Sequence, residues 1–256
     1  MGKKVLVYTC AHSDPSVSNE RFDWLGNFIY DVRPDMVIDL GDFYDMRSLN
    51  SYDTRYPKAI VAQSYQKDIE HGNDAQERIR RKFKEMKRKR PTFIGFEGNH
   101  EERLKRAIGL DPRLEGDKYG ISFKHLNTDM WYDEYHEYEN SGPAMKMYDG
   151  ILYAHFIATN FGKALSSKHH ASTLLDKMSV STTVGHSHVL DYKRKADAYP
   201  TPINGLVAGC FKGADEGWAG QANRAWTKGI VLKTNVEDGD YDFNFISMNQ
   251  LEKMYG

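Results

Sequence analysis

The sequence predicts an α/β domain built around a largely parallel or mixed β-sheet. Three observations carry this. Short β-branched and aromatic runs recur along the chain, segments with helical spacing fall between them, and chemically active residues stand directly after the runs.

Residues 4–9 (KVLVYT) read as a buried opening strand. Ser18 or Asn19 can cap a helix in which Phe22, Leu25, Phe28 and Ile29 recur at helical spacing, and Pro34 ends it. Residues 36–40 (MVIDL) form a second strand and 92–96 (TFIGF) a third, followed by a helix at 101–108. Later strands are expected at 151–154, 181–184, 206–208, 229–233 and 241–246. Two stretches interrupt the alternation. One, 47–90, ends in a strongly basic helix expected at 74–89. The other, 109–150, contains WYDEYHEYEN and the turn signals Asp111-Pro112 and Ser141-Gly142-Pro143. A single domain over 1–256 with two insertions accounts for the pattern.

The 256 residues suffice for one substantial core, and 40% hydrophobic with 28% charged residues is ordinary for a globular protein. A net charge of -1 favours neither acidic nor basic partners overall. Two cysteines make no disulfide framework, which fits a reducing compartment. No apolar run approaches the roughly 20 residues of a membrane span, and neither a signal peptide nor a myristoylation signal is read at the start. A cytoplasmic protein without a membrane partner is expected.

Ligands of α/β sheets gather beyond the carboxyl ends of strands. Here those ends carry Cys10-Ala11-His12, Gly41-Asp42-Phe43-Tyr44-Asp45, Gly98-Asn99-His100-Glu101, His155, and Gly185-His186-Ser187-His188. Imidazole, carboxylate, amide and thiol together exceed the needs of one metal, and a carboxylate is available to bridge two. Gly41, Gly98 and Gly185 permit the tight turns that bring such ligands together.

These motifs, in this order, resemble those of the calcineurin-like metallophosphoesterase superfamily, D-x-H, G-D-x-x-D, G-N-H-E/D, a lone His after a strand, and G-H-x-H. Cys10 stands where Asp is usual; lariat-debranching enzymes of the superfamily look similar here. The Gly209-Cys210 turn and the Trp226-to-Gly229 approach to a strand look like bacteriophage and bacterial members, whose setting is the host cytoplasm if phage-encoded. The resemblance implies a four-layer sandwich of two mixed sheets flanked by helices, with the insertions over the active-site face. It implies two divalent metals (Mn, Fe or Zn), one on Cys10, His12, Asp42 and His188, the other on Asp42, Asn99, His155 and His186. It also implies that His100 protonates the leaving oxygen and that Asp45 orients and charges His100. Glu101 reads as an early-helix residue favourable to the dipole.

Alternatives stand beside several of these roles. Cys10 can be a small buried apolar residue instead of a ligand, and Asp14 a turn residue instead of a substitute ligand. The basic helix can contact nucleic-acid phosphates or be a solvated face, and the Tyr-rich segment can stack bases or pack as a lid. His71, His125 and His136 are expected to be exposed, His169 and His170 to lie on a helix, and Cys210 to pack. The expected activity is hydrolysis of a phosphate ester, preferably a nucleic-acid or nucleotide diester. A small-molecule or phosphoprotein monoesterase and a catalytically silent metal-binding scaffold are the competing readings; Cys10, and Phe156 where Gly is common, point toward the last, and the retained His100 and Asp45 point away from it.

Overall fold

Alternation along the opening strand decides how the layers form. β1 (Lys3–Tyr8) turns Leu6 and Tyr8 to one side and Val5 and Val7 to the other, and all four are buried. A strand apolar on both faces belongs at the centre of a layered fold. The computed structural model describes residues 2–50, 64–84, 90–139, 142–196 and 202–256.

The first sheet has the order β11-β10-β1-β2-β3-β4, with β2 (Met36–Asp39), β3 (Thr92–Phe96), β4 (Glu134–His136), β10 (Gly229–Glu237) and β11 (Asp240–Ser247). The run from β1 to β4 is parallel, while β10 and β11 are antiparallel. The second sheet has the order β5-β6-β7-β9-β8, built from β5 (Lys146–Tyr148), β6 (Ile151–Ala154), β7 (Thr182–Val184), β8 (Leu190–Lys195) and β9 (Ile203–Ala208). Its three inner strands are parallel and its edges antiparallel.

Leu6, Tyr8, Val37 and Phe93 pack under α1 (Glu20–Val32), α2 (Tyr65–Arg80) and α6 (Met248–Tyr255), through Phe22, Leu25, Ile79 and Leu251. Val5, Val7, Ile38 and Phe96 meet Ile151, Tyr153 and Leu206 of the second sheet. The far face of that sheet, Leu152, Ala154 and Val207, packs on Leu174 of α5 (His170–Met178). The result is helix, sheet, sheet, helix, the four layers expected.

Several local expectations needed correction. β4, β5 and β8 were not foreseen: two have only three residues, and the third (LDYKRK) carries the charges usual on an edge. The 109–150 insertion therefore supplies an edge strand to each sheet, besides the short helix α4 (Thr128–Trp131). Tyr148 links the two edges, its hydroxyl 2.6 Å from His136 Nε2 and donating to Glu134 at 2.7 Å. The basic helix begins earlier and ends earlier than expected, as α2 followed by a 3₁₀ turn Arg81–Phe83. Its Lys87, Arg88 and Lys89 lie outside the described residues, as do Ser141 and residues 51–63 of the first insertion. Asn19 occupies the N-cap of α1 without capping it; its amide instead donates to His71 O and Asp74 on α2.

Candidate metal centre

The loops after β1 and β2 are zipped by their own backbones. Cys10 N donates to Gly41 O at 2.9 Å, His12 N to Asp42 O at 3.0 Å and Ser13 N to Phe43 O at 2.7 Å. Between β3 and α3 (Glu102–Leu110) lies the Gly98–Glu101 turn. A β-carbon on Gly98 would sit 2.2 Å from Asp42 N, so only glycine allows the two loops to touch. Cys10, His12, Asp42, His186 and His188 all have positive φ, between 44° and 65°. Residues with a β-carbon avoid this region, and its concentration at one place is a mark of functional sites. Each such turn throws a side chain inward that regular strand geometry would have turned away.

The side chains converge. Asp42 Oδ2 lies 3.3 Å from His155 Nε2 and 3.9 Å from His12 Nε2, so one carboxylate oxygen faces two imidazoles from different sheets. On one side His12 Nε2 and His188 Nε2 stand 3.2 Å apart. On the other, His155 Nε2 is 3.1 Å from Asn99 Oδ1 and 3.2 Å from His186 Nδ1. Cys10 Sγ accepts from His186 N at 3.2 Å and forms compact donor sets with both groups: Cys10, His12, His188 and Cys10, Asp42, His155. A third set is His12, Asp42 and His100. The fold thus brings all seven expected ligands together, with Cys10 between the two groups instead of confined to one.

Orientation comes from further hydrogen bonds. His155 Nδ1 is 2.7 Å from Leu40 O, which leaves Nε2 facing the centre. Asp45 serves two rings: its carboxylate is 2.8 Å from His12 Nδ1 and 3.2 Å from His100 Nδ1, and its carbonyl is 2.7 Å from the latter. It was expected to act on His100 alone.

Burial dominates the electrostatics. It pushes His12 down to about 3, helped by Lys212 and His100, and His188 down to about 2, helped by His12 and Lys212. His186 falls to about 4, again by burial first and His155 second. Neutral imidazoles keep a lone pair available, which is the form a metal takes. Burial works to raise Asp42, but His155 and His100 hold it well below the usual carboxylate range. Burial also raises the Cys10 thiol, so only a cation would hold it as thiolate here. The donor set therefore fits divalent metals that accept nitrogen, sulfur and oxygen.

Sequence reasoning missed several residues around the centre. Glu101 does more than favour a helix dipole: it is buried, and it accepts from Asp42 N at 3.1 Å, Tyr44 N at 2.8 Å and Gly98 N at 2.9 Å. Burial and then the Asp42 charge raise it to about 8. Arg103 donates to His100 Nε2 at 3.0 Å and to Asp45 O at 2.8 Å; its position one turn beyond His100 was the available signal. The Trp226 ring meets His188 edge-on at 4.5 Å, a contact without local signal.

Other expectations fared differently. Arg78 pairs with Asp23 and Asp74, Arg81 with Asp23 and Lys84 with Glu77, while Arg80 lies over the Phe93 ring. Those described cations of the basic segment are engaged within the fold. His71, His125 and His136 are half-buried rather than exposed; Asn19, Tyr65 and Tyr148 respectively meet them. His170 is buried on α5, His169 precedes it, and Cys210 is buried. Among the described residues no helix is long and apolar enough to cross a membrane.

No protein-family model and no curated protein matches the chain. Similar solved structures include a Streptococcus pneumoniae protein described as a predicted phosphoesterase, with 10% identity, TM-score 0.36, and coverage of 96% of this chain and 90% of that one. Zinc-complexed Vps29 from Entamoeba histolytica has 11% identity, TM-score 0.38 and coverage of 96% and 99%. A cold-active protein-tyrosine phosphatase of a Shewanella species has 11% identity, TM-score 0.33 and coverage of 95% and 80%. At such scores these likenesses carry no argument about function.

Proposed function

We propose that the chain is a calcineurin-like metallophosphoesterase that uses two divalent cations to hydrolyse a phosphate ester, preferably a nucleotide or nucleic-acid diester. The observation that carries this is the single Asp42 oxygen facing His155 at 3.3 Å and His12 at 3.9 Å. Such a shared carboxylate is what a bridged pair requires. Cys10, His12, Asp42 and His188 would hold one cation, and Asp42, Asn99, His155 and His186 the other. Bound there, the pair would supply Lewis-acid charge and an acidified water for in-line attack at phosphorus.

The remaining work falls to the chain itself. His100 borders this centre with Nδ1 against Asp45, so its Nε2 is the nitrogen available to the leaving oxygen. In the resting arrangement Arg103 occupies that position at 3.0 Å, and an arriving phosphate draws the guanidinium onto its own oxygens. Glu101 keeps Asp42 in place by binding the amides of both loops. The silent-scaffold reading has no use for an imidazole held at the edge of the centre with its Nε2 turned from Asp45.

His100→Ala tests the assignment. Turnover of a model diester with Mn²⁺, Fe²⁺ or Zn²⁺ should fall about 10²–10⁴-fold while bound metal, measured by elemental analysis, persists. Unchanged turnover removes His100 from the reaction, and a wild-type protein that binds metal but cleaves neither diester nor monoester restores the scaffold reading.

A further inference from the structure

An aromatic groove of about 600 Å³ opens beside the candidate centre, with Trp24, Trp226 and Phe245 in its wall. It runs between α1, the start of α6 and the loop before β10. Trp226 joins it to the centre, since the same indole packs on His188. A smaller hollow of about 80 Å³ reaches His12, carries Arg47 and Lys212, and shares Val17 and Gly213 with the groove. The two hollows therefore adjoin across Val17 and Gly213, between a candidate metal ligand and the aromatic wall.

The lining specifies the occupant. A volume of this size suits a nucleoside, within the roughly 300–1,000 Å³ of ordinary ligand sites. Glu20, Glu252 and Asn249 also line the groove. Its two cations are engaged: Arg21 donates to Ser18 O and Ala11 O, and Lys228 to Asp215. The groove therefore offers ring faces and hydrogen-bond acceptors, which suit the N–H edge of a base and repel additional phosphates.

We propose that this groove seats a nucleobase, making the substrate a mononucleotide or dinucleotide ester with its phosphate at the centre rather than a long nucleic-acid strand. The position of the phosphate rests on the phosphoesterase reading; the base site does not. Calorimetric titration of the metal-free full chain with adenosine, which has no phosphate, separates the two. Adenosine should bind, and Trp24→Ala should weaken it about tenfold, the loss of one base–aromatic stack. Phe245→Leu provides a second variant should Trp24→Ala unfold by circular dichroism, and the same direction is expected. Absence of adenosine binding, or equal affinity in a folded variant, overturns the proposal. Adenosine binding without hydrolysis of any phosphate ester would remove the phosphoesterase reading and leave the groove assigned.

Discussion

Replacing Gly98 by alanine perturbs the centre without replacing a ligand. The added β-carbon would lie 2.2 Å from both Asp42 N and Asp42 Oδ1, whereas ordinary contact begins at 3.4 Å. The β2 and β3 loops must therefore separate by about 1 Å, several times the roughly 0.2 Å tolerance of a metal–ligand distance. Gly41 cannot absorb the movement, because its own backbone already packs against Gly98 at positive φ. Misplacement on this scale costs about 10²-fold in rate, or about 2.7 kcal/mol of transition-state stabilisation. The assay is kcat/KM on a chromogenic diester, with metal content and the thermal midpoint measured in parallel. Gly109→Ala is the control, since a β-carbon there meets nothing within 4 Å and lies in α3. It should be slightly stabilising, by about 0.5–1 kcal/mol. A Gly98→Ala protein with full metal content and wild-type kcat/KM would refute the claim that loop contact sets the ligand geometry.

Other substitutions read other parts of the structure. Cys10→Asp should keep the centre and move its preference from Zn²⁺ toward Mn²⁺; a metal-activation profile identical to wild type would mean that the thiol is not a ligand. Glu101→Gln turns an amide NH₂ toward backbone donors and should lower stability by about 1–3 kcal/mol together with metal affinity, as calorimetry would show; an unchanged midpoint removes Glu101 from loop positioning. Lys233 is buried between the sheets, its Nζ 2.6 Å from Thr183 Oγ1 and 3.2 Å from Tyr153 Oη, and burial holds its pKa well below 10.5. The unfolded chain therefore binds a proton that the native chain does not, so native stability falls as pH drops below 10.5 until the folded pKa is reached. Lys233→Met should gain on wild type by up to about 1.4 kcal/mol for each pH unit lowered within that window, and a pH-independent difference in denaturant unfolding between pH 7 and 9.5 would contradict it.

The motif residues were legible in the sequence because strand ends in an α/β fold are where the chain leaves the sheet, and polar chemistry after an apolar run is a local signal. The roles of Glu101 and Trp226 were not, because each depends on which loop lies opposite. Glu101 illustrates this: its three amide partners include two from the loop after β2, some sixty residues away in sequence, at Asp42 and Tyr44. The basic segment left two readings open in the sequence, a phosphate contact or a solvated face; what the sequence could not give is that α1 sets Asp23 against Arg78 and Arg81.

By itself the sequence determined the α/β class, the central strands and the set of candidate metal-binding side chains, since hydrophobic period and residue chemistry are local properties. Tertiary structure decided the short edge strands, Cys10's place between both donor groups, Asp45's division between two imidazoles, and the aromatic groove beside His188. Those features depend on distances between segments remote along the chain, and packing and backbone turns of positive φ set such distances; residue identity alone does not.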